Sequence, residues 1–477
     1  MTTSAHHYIR KRLLRTLYIT HRWLGISVGM LMMSWCLSGM VMLWHPWPTP
    51  ERAAAERVHG LLHLPAHLPV IGVLNEPTTR FQSFRLNMTG SEPVLTVVPI
   101  SGVPVSIDLR TGKSGSITPS DARVSAQAYA TMVGVQSLPV FTGTTMDDQW
   151  VLDTPGRLTG FERFRFSGSK ALVVYISSLT GDVVQATDTS SRAWAWMGAI
   201  PHWLYPAILR RNPLTWKWVV IVLSGIGIFL TLAGMFIGVL RLKRRWPCSY
   251  YRRWHLAHHL GGMVFGLLAL SWITTGFFTM KPGGVFASER EARSPVHVTG
   301  SVTGEEILAV LNRIIHLHTS DWTDVRSVFL QGRIFLAVTD SAGDHTRLDA
   351  QLSPSLLTTT ELGASATFLA SSDLYYFNRP THTRHFPVIR IAAANGVLFY
   401  LDAQTGEVIT AFDSGAQKSR WWVYGPHDMD FWSWLRSPTA RLVVIFPILC
   451  CVLTIYLTGV TIGMKRLVFI KRRWCSK

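Results

Sequence analysis

Four histidines are the residues of this sequence best suited to chemistry, because they occupy two pairs of equivalent positions. His21 and His258 each open a long apolar stretch, and His202 and His427 each follow a proline shortly before another. An imidazole ring can bind a metal ion through a nitrogen, or exchange a proton near neutral pH. A single histidine beside an apolar stretch is usually an amphipathic boundary residue. Four in symmetric places instead favour metal ligands.

The chain carries the same pattern twice, in the same orientation. The segment HRWLGISVGMLMMSWCLSGM, which begins at His21, aligns without a gap with HHLGGMVFGLLALSWITTGF, which begins at His258. A second pair of segments also aligns, with slightly fewer positions between the two copies: PHWLYPAILRRNP from Pro201 aligns with PHDMDFWSWLRSP from Pro426. A unit of span, exported domain, amphipathic segment and span therefore occurs twice, which predicts a pseudo-two-fold axis along the membrane normal.

Four apolar stretches are long enough to cross a bilayer as helices. The 477 residues are 48% hydrophobic and carry a formal charge of +18. Runs of about 20 apolar residues can span a membrane. The predicted spans are 22–44, 215–240, 258–280 and 439–463.

Basic residues beside these spans set the predicted orientation. The N-terminal segment 1–21, the loop 241–257 and the tail 464–477 are rich in Arg and Lys and contain no Asp or Glu. By the positive-inside rule all three face the cytoplasm. Nucleic-acid binding is the weaker interpretation, because the charge flanks spans and forms no folded basic face. We predict a multi-pass protein of a bacterial inner membrane, embedded in the lipid bilayer with both termini cytoplasmic.

The two long segments between spans are predicted to be periplasmic domains, at 45–200 and 281–425. They contain no cysteine, so no disulfide framework is available to them. Helical periodicity and strands that turn at Thr-Gly predict an α+β fold for both, and interfacial segments at 201–214 and 426–438 lead back to the membrane. The predicted fold class is a membrane α+β protein, a four-transmembrane-helix bundle built from a two-fold internal repeat.

This combination resembles the PepSY-associated transmembrane family. The resemblance rests on His-Arg-Trp-Leu-Gly in the first span, a Pro-His before the second and fourth spans, a third span that opens on histidine, and Thr-Gly hairpins outside. It covers essentially the whole chain. Members of that family include inner-membrane ferric-siderophore reductases with two b-type haems, and others whose role is undefined. The two exported domains resemble PepSY modules, which elsewhere accompany peptidases.

The resemblance implies that the four histidines are axial ligands of two b-type haems. Equivalent histidines of a two-fold repeat lie at equal depth, so we pair His21 with His258 near the cytoplasm and His202 with His427 near the periplasm. No Cys-x-x-Cys-His motif occurs, which excludes a covalent c-type haem. Weaker candidates lie beside the third-span histidine or at the outer end of the first span: His255, His259 and His45.

Glycines at four-residue spacing accompany the histidines. Such pairs usually mark close helix packing. They equally leave room for a flat macrocycle one turn from His21 and His258. The pairs are Gly25 with Gly29, Gly262 with Gly266, Gly234 with Gly238, and Gly459 with Gly463.

The exported stretch YYFNRPTHTRHFPVIRI, residues 375–391, is the candidate substrate site. Its side chains suit an anionic or metal-chelate ligand such as a ferric siderophore, although solvated hairpin residues explain them as well. The candidates are Tyr375, Tyr376, Arg379, His382, Arg384 and His385. A metal-spaced run, His59, His63 and His67, is interrupted by Pro65 and is interpreted as a loop.

Electron transfer would need a donor outside this chain. The cytoplasmic segments are shorter than the roughly 30 residues of one nucleotide-binding βαβ unit, and no G-x-G-x-x-G or P-loop motif occurs. The expected donor is quinol or a separate reductase, and the expected activity is ferric-chelate reduction from Fe³⁺ to Fe²⁺. Two other functions stay open, PepSY-type regulation of a peptidase and transport of a siderophore or metal. A transporter is expected to have broken helices and midplane charges.

Overall fold

The computed structural model describes residues 2–100, 102–155, 159–244, 246, 248–288, 300–317, 321–363, 365–379 and 383–475. Helices are numbered α1–α15 and strands β1–β15 in chain order. Within the described residues, a bundle of long apolar helices is combined with antiparallel sheets, so the fold is α+β, as predicted.

Long apolar helices form the membrane part. Of the described residues, three helices have the length and hydropathy to cross a membrane, and a bent pair makes a fourth span if it counts as one. The chain is therefore a multi-pass membrane protein. These helices are α1 Thr2–Ser27, α2 Gly29–Met42, α8 Pro213–Leu240, α9 Arg253–Thr279 and α15 Phe446–Cys475, the last preceded by α14 Pro438–Ala440 and the π-helical turn Arg441–Ile445.

The first span differs from the continuous helix predicted at 22–44. α1 and α2 meet at Val28 with a bend of 52°, and α1 extends back into the basic N-terminal segment. The Val28 N–H still donates to the Leu24 carbonyl at 2.8 Å, so the helical hydrogen-bond ladder continues into the bend. Gly25 and Gly29 flank the bend, and glycine is a common cause of kinks.

Small residues let the helices of the bundle approach closely. A Cβ added at Gly227 of α8 would lie 2.5 Å from Cδ1 of Ile273 in α9, and one at Gly238 would lie 2.6 Å from Sδ of Met263. Close packing of this kind is a main source of helix association in a bilayer. The bundle therefore holds α8 against α9 at a fixed depth.

The predicted exported domains at 45–200 and 281–425 are joined by one sheet. Its strand order is β11-β10-β9-β1-β2-β3, with β8 beside the start of β1. Strands β1 and β9 pair antiparallel, with Leu86 opposite Val325. The strands are β1 Arg80–Thr89, β2 Glu92–Pro99, β3 Val105–Asp108, β8 Val302–Thr303, β9 Trp322–Leu330, β10 Arg333–Asp340 and β11 His345–Asp349.

Two four-stranded antiparallel sheets follow the shared one, and each has its strands in chain order. Both have a register shift at the same place in the pattern, after Tyr175 in one sheet and after Tyr400 in the other. The first consists of β4 Pro139–Thr145, β5 Phe161–Phe166, β6 Val173–Ser177 and β7 Val183–Thr187. The second consists of β12 Ala366–Leu369, β13 Val388–Ala392, β14 Leu398–Asp402 and β15 Val408–Phe412.

Helices cover one face of these sheets. The shared sheet packs its apolar side against α10 Gly304–His316, and the β4–β7 sheet packs against α4 Pro119–Met132. Thr118 caps α4 and Thr303 caps α10 with a side-chain oxygen, which fixes where each helix begins. Short elements complete this region: α3 Arg52–Glu56, α11 Thr359–Leu362 and the 3₁₀ turns Gly72–Leu74 and Pro282–Gly284.

A largely buried charged cluster joins the two sheet-forming halves, residues 45–200 and 281–425. Arg85 on β1 contacts Asp182 of the first half and Asp324 of the second, each at 2.5 Å. Nδ1 of His59 lies 2.8 Å from the Met88 carbonyl oxygen, and its Nε2 lies 2.8 Å from a carboxylate oxygen of Asp182. Burial raises the pKa of Asp182, but the Arg85 charge and the His59 hydrogen bond outweigh it and hold that pKa well below its usual range.

Short helices connect each sheet-forming half to the following span. Each connection turns on a non-glycine residue in the left-handed region, Leu204 with a φ of 49° and Met429 with a φ of 51°. That conformation is costly outside glycine, so the surrounding structure must impose it. The helices are α5 Thr189–Met197, α6 Ala199–Trp203 and α7 Ala207–Arg210 in the first half, and α12 Ser414–Ser419, α13 Gly425–Asp428, the π-helical turn Arg420–Tyr424 and the 3₁₀ turn Ser433–Arg436 in the second.

Candidate functional site: two histidine pairs

The structure brings His21 of α1 and His258 of α9 together as an inner pair. Their ring centres lie 6.5 Å apart and the ring planes are tilted by 41°. Nδ1 of His21 donates to the carbonyl of Leu230, and Nδ1 of His258 donates to the carbonyl of Ile455, each at 3.1 Å. A carbonyl can only accept, so Nδ1 carries the proton in both rings and Nε2 keeps its lone pair. This is the tautomer of a metal-binding histidine.

His202 of α6 and His427 of α13 form an outer pair in the same way. Their ring centres lie 6.0 Å apart with a tilt of 53°. Nδ1 of His202 donates to the Trp35 carbonyl at 3.1 Å, and Nδ1 of His427 donates to Oγ1 of Thr275 at 3.0 Å. The Thr275 hydroxyl gives its own proton to the carbonyl of Ser271, so its oxygen is free to accept. Nε2 is again the nitrogen that keeps a lone pair.

The protonation state of His202 suits metal binding. Burial of His202, helped by the neighbouring His427, lowers the pKa of His202 to about 4. Its ring is therefore neutral at physiological pH. Only a neutral imidazole has a lone pair to give to a metal ion.

A glycine on a neighbouring helix lies against the Cε1 edge of each of the four rings. A Cβ at Gly234 would lie 2.6 Å from Cε1 of His21, and one at Gly39 would lie 3.0 Å from Cε1 of His202. The equivalent distances are 3.1 Å for Gly459 and His258, and 3.7 Å for Gly276 and His427. These glycines therefore lie against the histidine rings. Gly234 and Gly459 belong to the pairs for which the spacing predicted helix packing or macrocycle clearance, whereas Gly39 and Gly276 were not among those pairs.

The ring separations match two imidazoles bound to one metal ion. A metal–nitrogen bond of about 2.0–2.1 Å, plus about 1.1 Å from nitrogen to ring centre, puts two ring centres on opposite sides of a metal about 6.2 Å apart. The observed separations of 6.5 Å and 6.0 Å bracket that value. The donor set and its spacing fit a bis-histidine haem.

The two pairs lie toward opposite ends of the bundle. α9 carries His258 of the inner pair near its start and Thr275, which supports the outer pair, near its end. At about 1.5 Å of rise per residue, these positions are roughly 25 Å apart. One pair is therefore near each side of a bilayer about 30 Å thick.

Three weaker ligand candidates are not brought to either pair. His45 stacks face to face on Trp194, with ring centres 3.9 Å apart. His255 is exposed on the surface of α9. His259 is buried, and both of its ring nitrogens are engaged, with Oγ of Ser249 at 2.7 Å and the Gly238 carbonyl at 2.8 Å. None of the three is arranged to replace a member of a pair.

The predicted substrate tyrosines are largely part of the protein interior. Tyr376 is buried and stacks on Tyr400 with ring centres 5.1 Å apart. Its hydroxyl donates to the backbone carbonyl of His385 at 3.0 Å. The Tyr375 hydroxyl accepts a hydrogen bond from the indole of Trp421 at 3.2 Å. These residues form a core and not the solvated hairpin or ligand surface that the sequence allowed.

The charged candidates of the same stretch have intramolecular partners. Arg379 pairs with Asp428 at 3.0 Å and with Asp430 at 2.9 Å, beside the outer histidine pair. Nε2 of His385 lies 3.1 Å from a carboxylate oxygen of Asp402, and the Arg384 guanidinium lies over the Tyr376 ring at 5.0 Å. His382 lies outside the described residues. In the described part of the chain, no cluster of three or more His, Cys, Asp or Glu could hold a metal ion, and His59 is occupied in the charged cluster.

The groups that orient the rings were only partly visible in the sequence. Gly39 and Gly276 recur at equivalent places in the aligned spans, and so do Ser38 and Thr275, which was a usable signal. The carbonyls of Trp35, Leu230 and Ile455 are backbone groups that every residue carries. Their role becomes visible only when the helices are packed.

Comparison with known families agrees with this architecture. Residues 18–466 match the model of the PepSY-associated TM region. The chain belongs to the PepSY-associated transmembrane family. All four paired histidines of this family member lie inside the matched range. A comparison with curated proteins finds no significant match.

Proposed function

We propose that this PepSY-associated protein binds two b-type haems and carries electrons across a bacterial inner membrane to a ferric siderophore on the periplasmic side. The observation that carries the proposal is the presence of two histidine pairs, toward opposite ends of the bundle, at ring separations suited to one metal ion each. Bound there, the haems would supply reversible one-electron transfer. A peptidase regulator anchored in the membrane would not need such pairs.

The protein side of this function is the positioning of the ligands. Each ring is held by a hydrogen bond at Nδ1, so its Nε2 is the nitrogen left to bind a metal ion. Outer-shell partners of this kind fix ring orientation and raise ligand basicity. The glycines beside the rings keep other side chains out of the way. Both sites are therefore organised by the bundle itself.

The repeat supports different roles for the two histidine pairs in electron transfer. Leu230 and Ile455, whose carbonyls hold the inner rings, are aligned positions of the duplicated pattern, and so are Gly234 and Gly459. The basic flanks favour a cytoplasmic position for the inner pair and a periplasmic position for the outer one. Electrons would therefore enter on the cytoplasmic side of the bilayer and leave on the periplasmic side.

The reaction balances with quinol or a separate reductase as donor. Oxidation of one quinol to quinone releases two electrons and two protons. Two electrons reduce two ferric ions to ferrous ions, with no proton consumed at iron. Ferrous iron binds hard oxygen chelators more weakly, so reduction would release the metal from the siderophore.

The test is ferric-siderophore reduction by the full-length protein in proteoliposomes that contain a quinol. We expect an external ferric siderophore to be reduced at a rate that depends on the protein, with ferrous iron trapped by a coloured chelator. Variants His202→Ala and His21→Ala should each abolish the reaction. Activity equal to wild type in both variants, or none in haem-loaded wild type, would overturn the proposal.

A further inference from the structure

A cationic cavity lies in the first exported half, on the β4–β7 sheet. Its volume is about 360 Å³, within the range of small-molecule sites. Successive residues of a strand face opposite sides of a sheet. Phe164 and Phe166 of β5 therefore pack under α4, whereas Arg163 and Arg165 face the cavity. Asp148, Trp150, Tyr175 and Arg192 also line the cavity.

The cavity has more positive than negative charge. Arg163 is neutralised by Asp148, its nearest carboxylate, at 2.8 Å. Arg192 is held by neutral carbonyl oxygens, those of Thr187 at 3.0 Å and Ala171 at 2.9 Å. Within the described residues, Arg192 and the exposed Arg165 form no ion pair with a carboxylate. The Arg165 guanidinium is therefore available to an anion. The charge of Arg192 lies nearby, where burial and Arg165 lower its pKa and Asp188 and Tyr175 raise it.

The equivalent place in the second half carries no such excess of positive charge. Arg390 stands where Arg165 does, but it pairs with Asp373 at 3.2 Å. Val388 occupies the position of Arg163 and Gln417 that of Arg192. The two halves share strand order and register here, so the fold alone does not require the extra arginines.

Aromatic side chains connect this cavity to the outer histidine pair. Trp203 follows His202 in the chain, and its ring centre lies 5.9 Å from that of Trp47. Trp47 in turn lies 5.5 Å from Trp150, which lines the cavity. These separations are those of packed aromatic pairs. An acceptor in the cavity would thus be joined to the outer pair through these ring contacts and the chain link between Trp203 and His202.

We propose that this cavity binds a small, carboxylate-rich anion, and that the ferric complex of such an anion is the electron acceptor of the protein. The second clause rests on the proposed function; the binding does not. Arg165 recognises a carboxylate by charge-assisted hydrogen bonds, which a guanidinium can form in a bidentate manner, and the nearby charge of Arg192 adds electrostatic attraction. One electron converts bound Fe³⁺ to Fe²⁺ and comes from the quinol or reductase named above.

Binding is tested with citrate alone, by calorimetric titration of the detergent-purified full chain. Arg165 is exposed, so Arg165→Gln should fold normally and weaken citrate binding about tenfold, as loss of one charged hydrogen bond predicts. Arg165→Glu should abolish it. The control is Arg123→Gln, the same charge change on α4 at the opposite face of the sheet, which should bind like wild type. Absence of citrate binding to wild type, or equal affinity in the Arg165 variants and wild type, would overturn the site.

The acceptor role is tested with ferric citrate as substrate. Trp47→Leu should lower the turnover rate at least tenfold while citrate affinity and haem content stay as in wild type, and Trp47→Phe should restore much of the rate. Full turnover in Trp47→Leu would overturn the aromatic connection. If wild type reduces other ferric chelates but not ferric citrate, this inference fails and the proposed function stands. If it binds citrate but reduces no chelate, the proposed function fails and the anion site stands.

Discussion

Replacing Gly234 with alanine should displace His21 and weaken the inner site selectively. A Cβ at position 234 would lie 2.6 Å from Cε1 of His21 and 3.3 Å from its Nδ1. Carbon atoms in contact prefer about 3.5–4.0 Å, so the ring must move by about 1 Å. Such a shift would lengthen the 3.1 Å bond from Nδ1 to the Leu230 carbonyl beyond hydrogen-bond range.

The expected loss is about 10- to 100-fold in haem affinity at the inner pair, the usual effect of removing an outer-shell partner. This corresponds to about 1.4–2.8 kcal/mol. Alanine is a better helix former than glycine by about 1 kcal/mol, so a loss must come from the contact and not from the helix. Gly225→Ala on the same helix is the matched control, because its Cβ would meet only Phe277, at 4.0 Å, among the described residues.

The other three ring-facing glycines turn this prediction into a graded series. The clearances are 3.0 Å at Gly39, 3.1 Å at Gly459 and 3.7 Å at Gly276. Haem titrated into apoprotein, followed by absorbance, should show the largest loss for Gly234→Ala, smaller losses for the next two, and almost none for Gly276→Ala. The reasoning is refuted if Gly234→Ala binds haem like Gly225→Ala, or if Gly276→Ala is the most impaired.

Four further predictions address the two sites and the junction between the two sheet-forming halves. His202→Ala should lose one haem and keep an inner one that the donor still reduces, whereas His21→Ala should keep an outer haem that dithionite reduces and the donor does not; spectra that are the same for both variants would contradict this. Thr275→Val should weaken the outer haem about tenfold because Nδ1 of its ligand loses its acceptor, with the inner haem as internal control in the same titration. Asp182 has a lowered pKa, so its stabilising effect is present above the unfolded value of about 3.9 and is lost as pH falls below it; the melting temperature should therefore fall in acid more steeply in wild type than in Asp182→Asn, and equal slopes would contradict the assignment. Arg85→Ala should lower stability by about 1.5–3 kcal/mol at neutral pH, since Asp182 and Asp324 lose the guanidinium that they share while His59 and Arg326 remain beside them, a change that chemical denaturation can measure.

Much of the membrane part could be predicted because a span is recognised from the composition of one continuous segment of sequence. A bilayer requires about 20 apolar residues per span, so the apolar runs are visible without any knowledge of packing. The duplicated pattern added information about depth in the membrane. It made His21 equivalent to His258 and thereby indicated which histidines would lie at one depth.

The shared sheet could not be predicted in this way. Strands β1 and β9 pair across more than 230 positions of sequence, and nothing local to Leu86 or Val325 identifies the partner strand. The bend at Val28 could not be predicted from the sequence either. Glycines nearby permit a kink, but they equally permit a straight helix, and neighbouring helices decide between the two.

The exported candidates show a related limit. Tyr376 and Arg379 have side chains typical of ligand sites, but the sequence does not reveal that one is buried against Tyr400 and the other is paired with Asp428 and Asp430. The arginines of the cationic cavity had no sequence motif at all. They alternate with phenylalanines along β5, which is an ordinary strand pattern, and only the folded sheet places them beside Arg192.

The central claim is tested most directly by the haem content of the full-length protein purified in mild detergent from haem-replete cells. The pyridine haemochrome assay should give two b-type haems per chain, and the reduced-minus-oxidised spectrum should be that of low-spin haem with two histidine ligands. A colourless protein with a haem content near zero would contradict the account and leave the four histidines as ordinary interfacial residues.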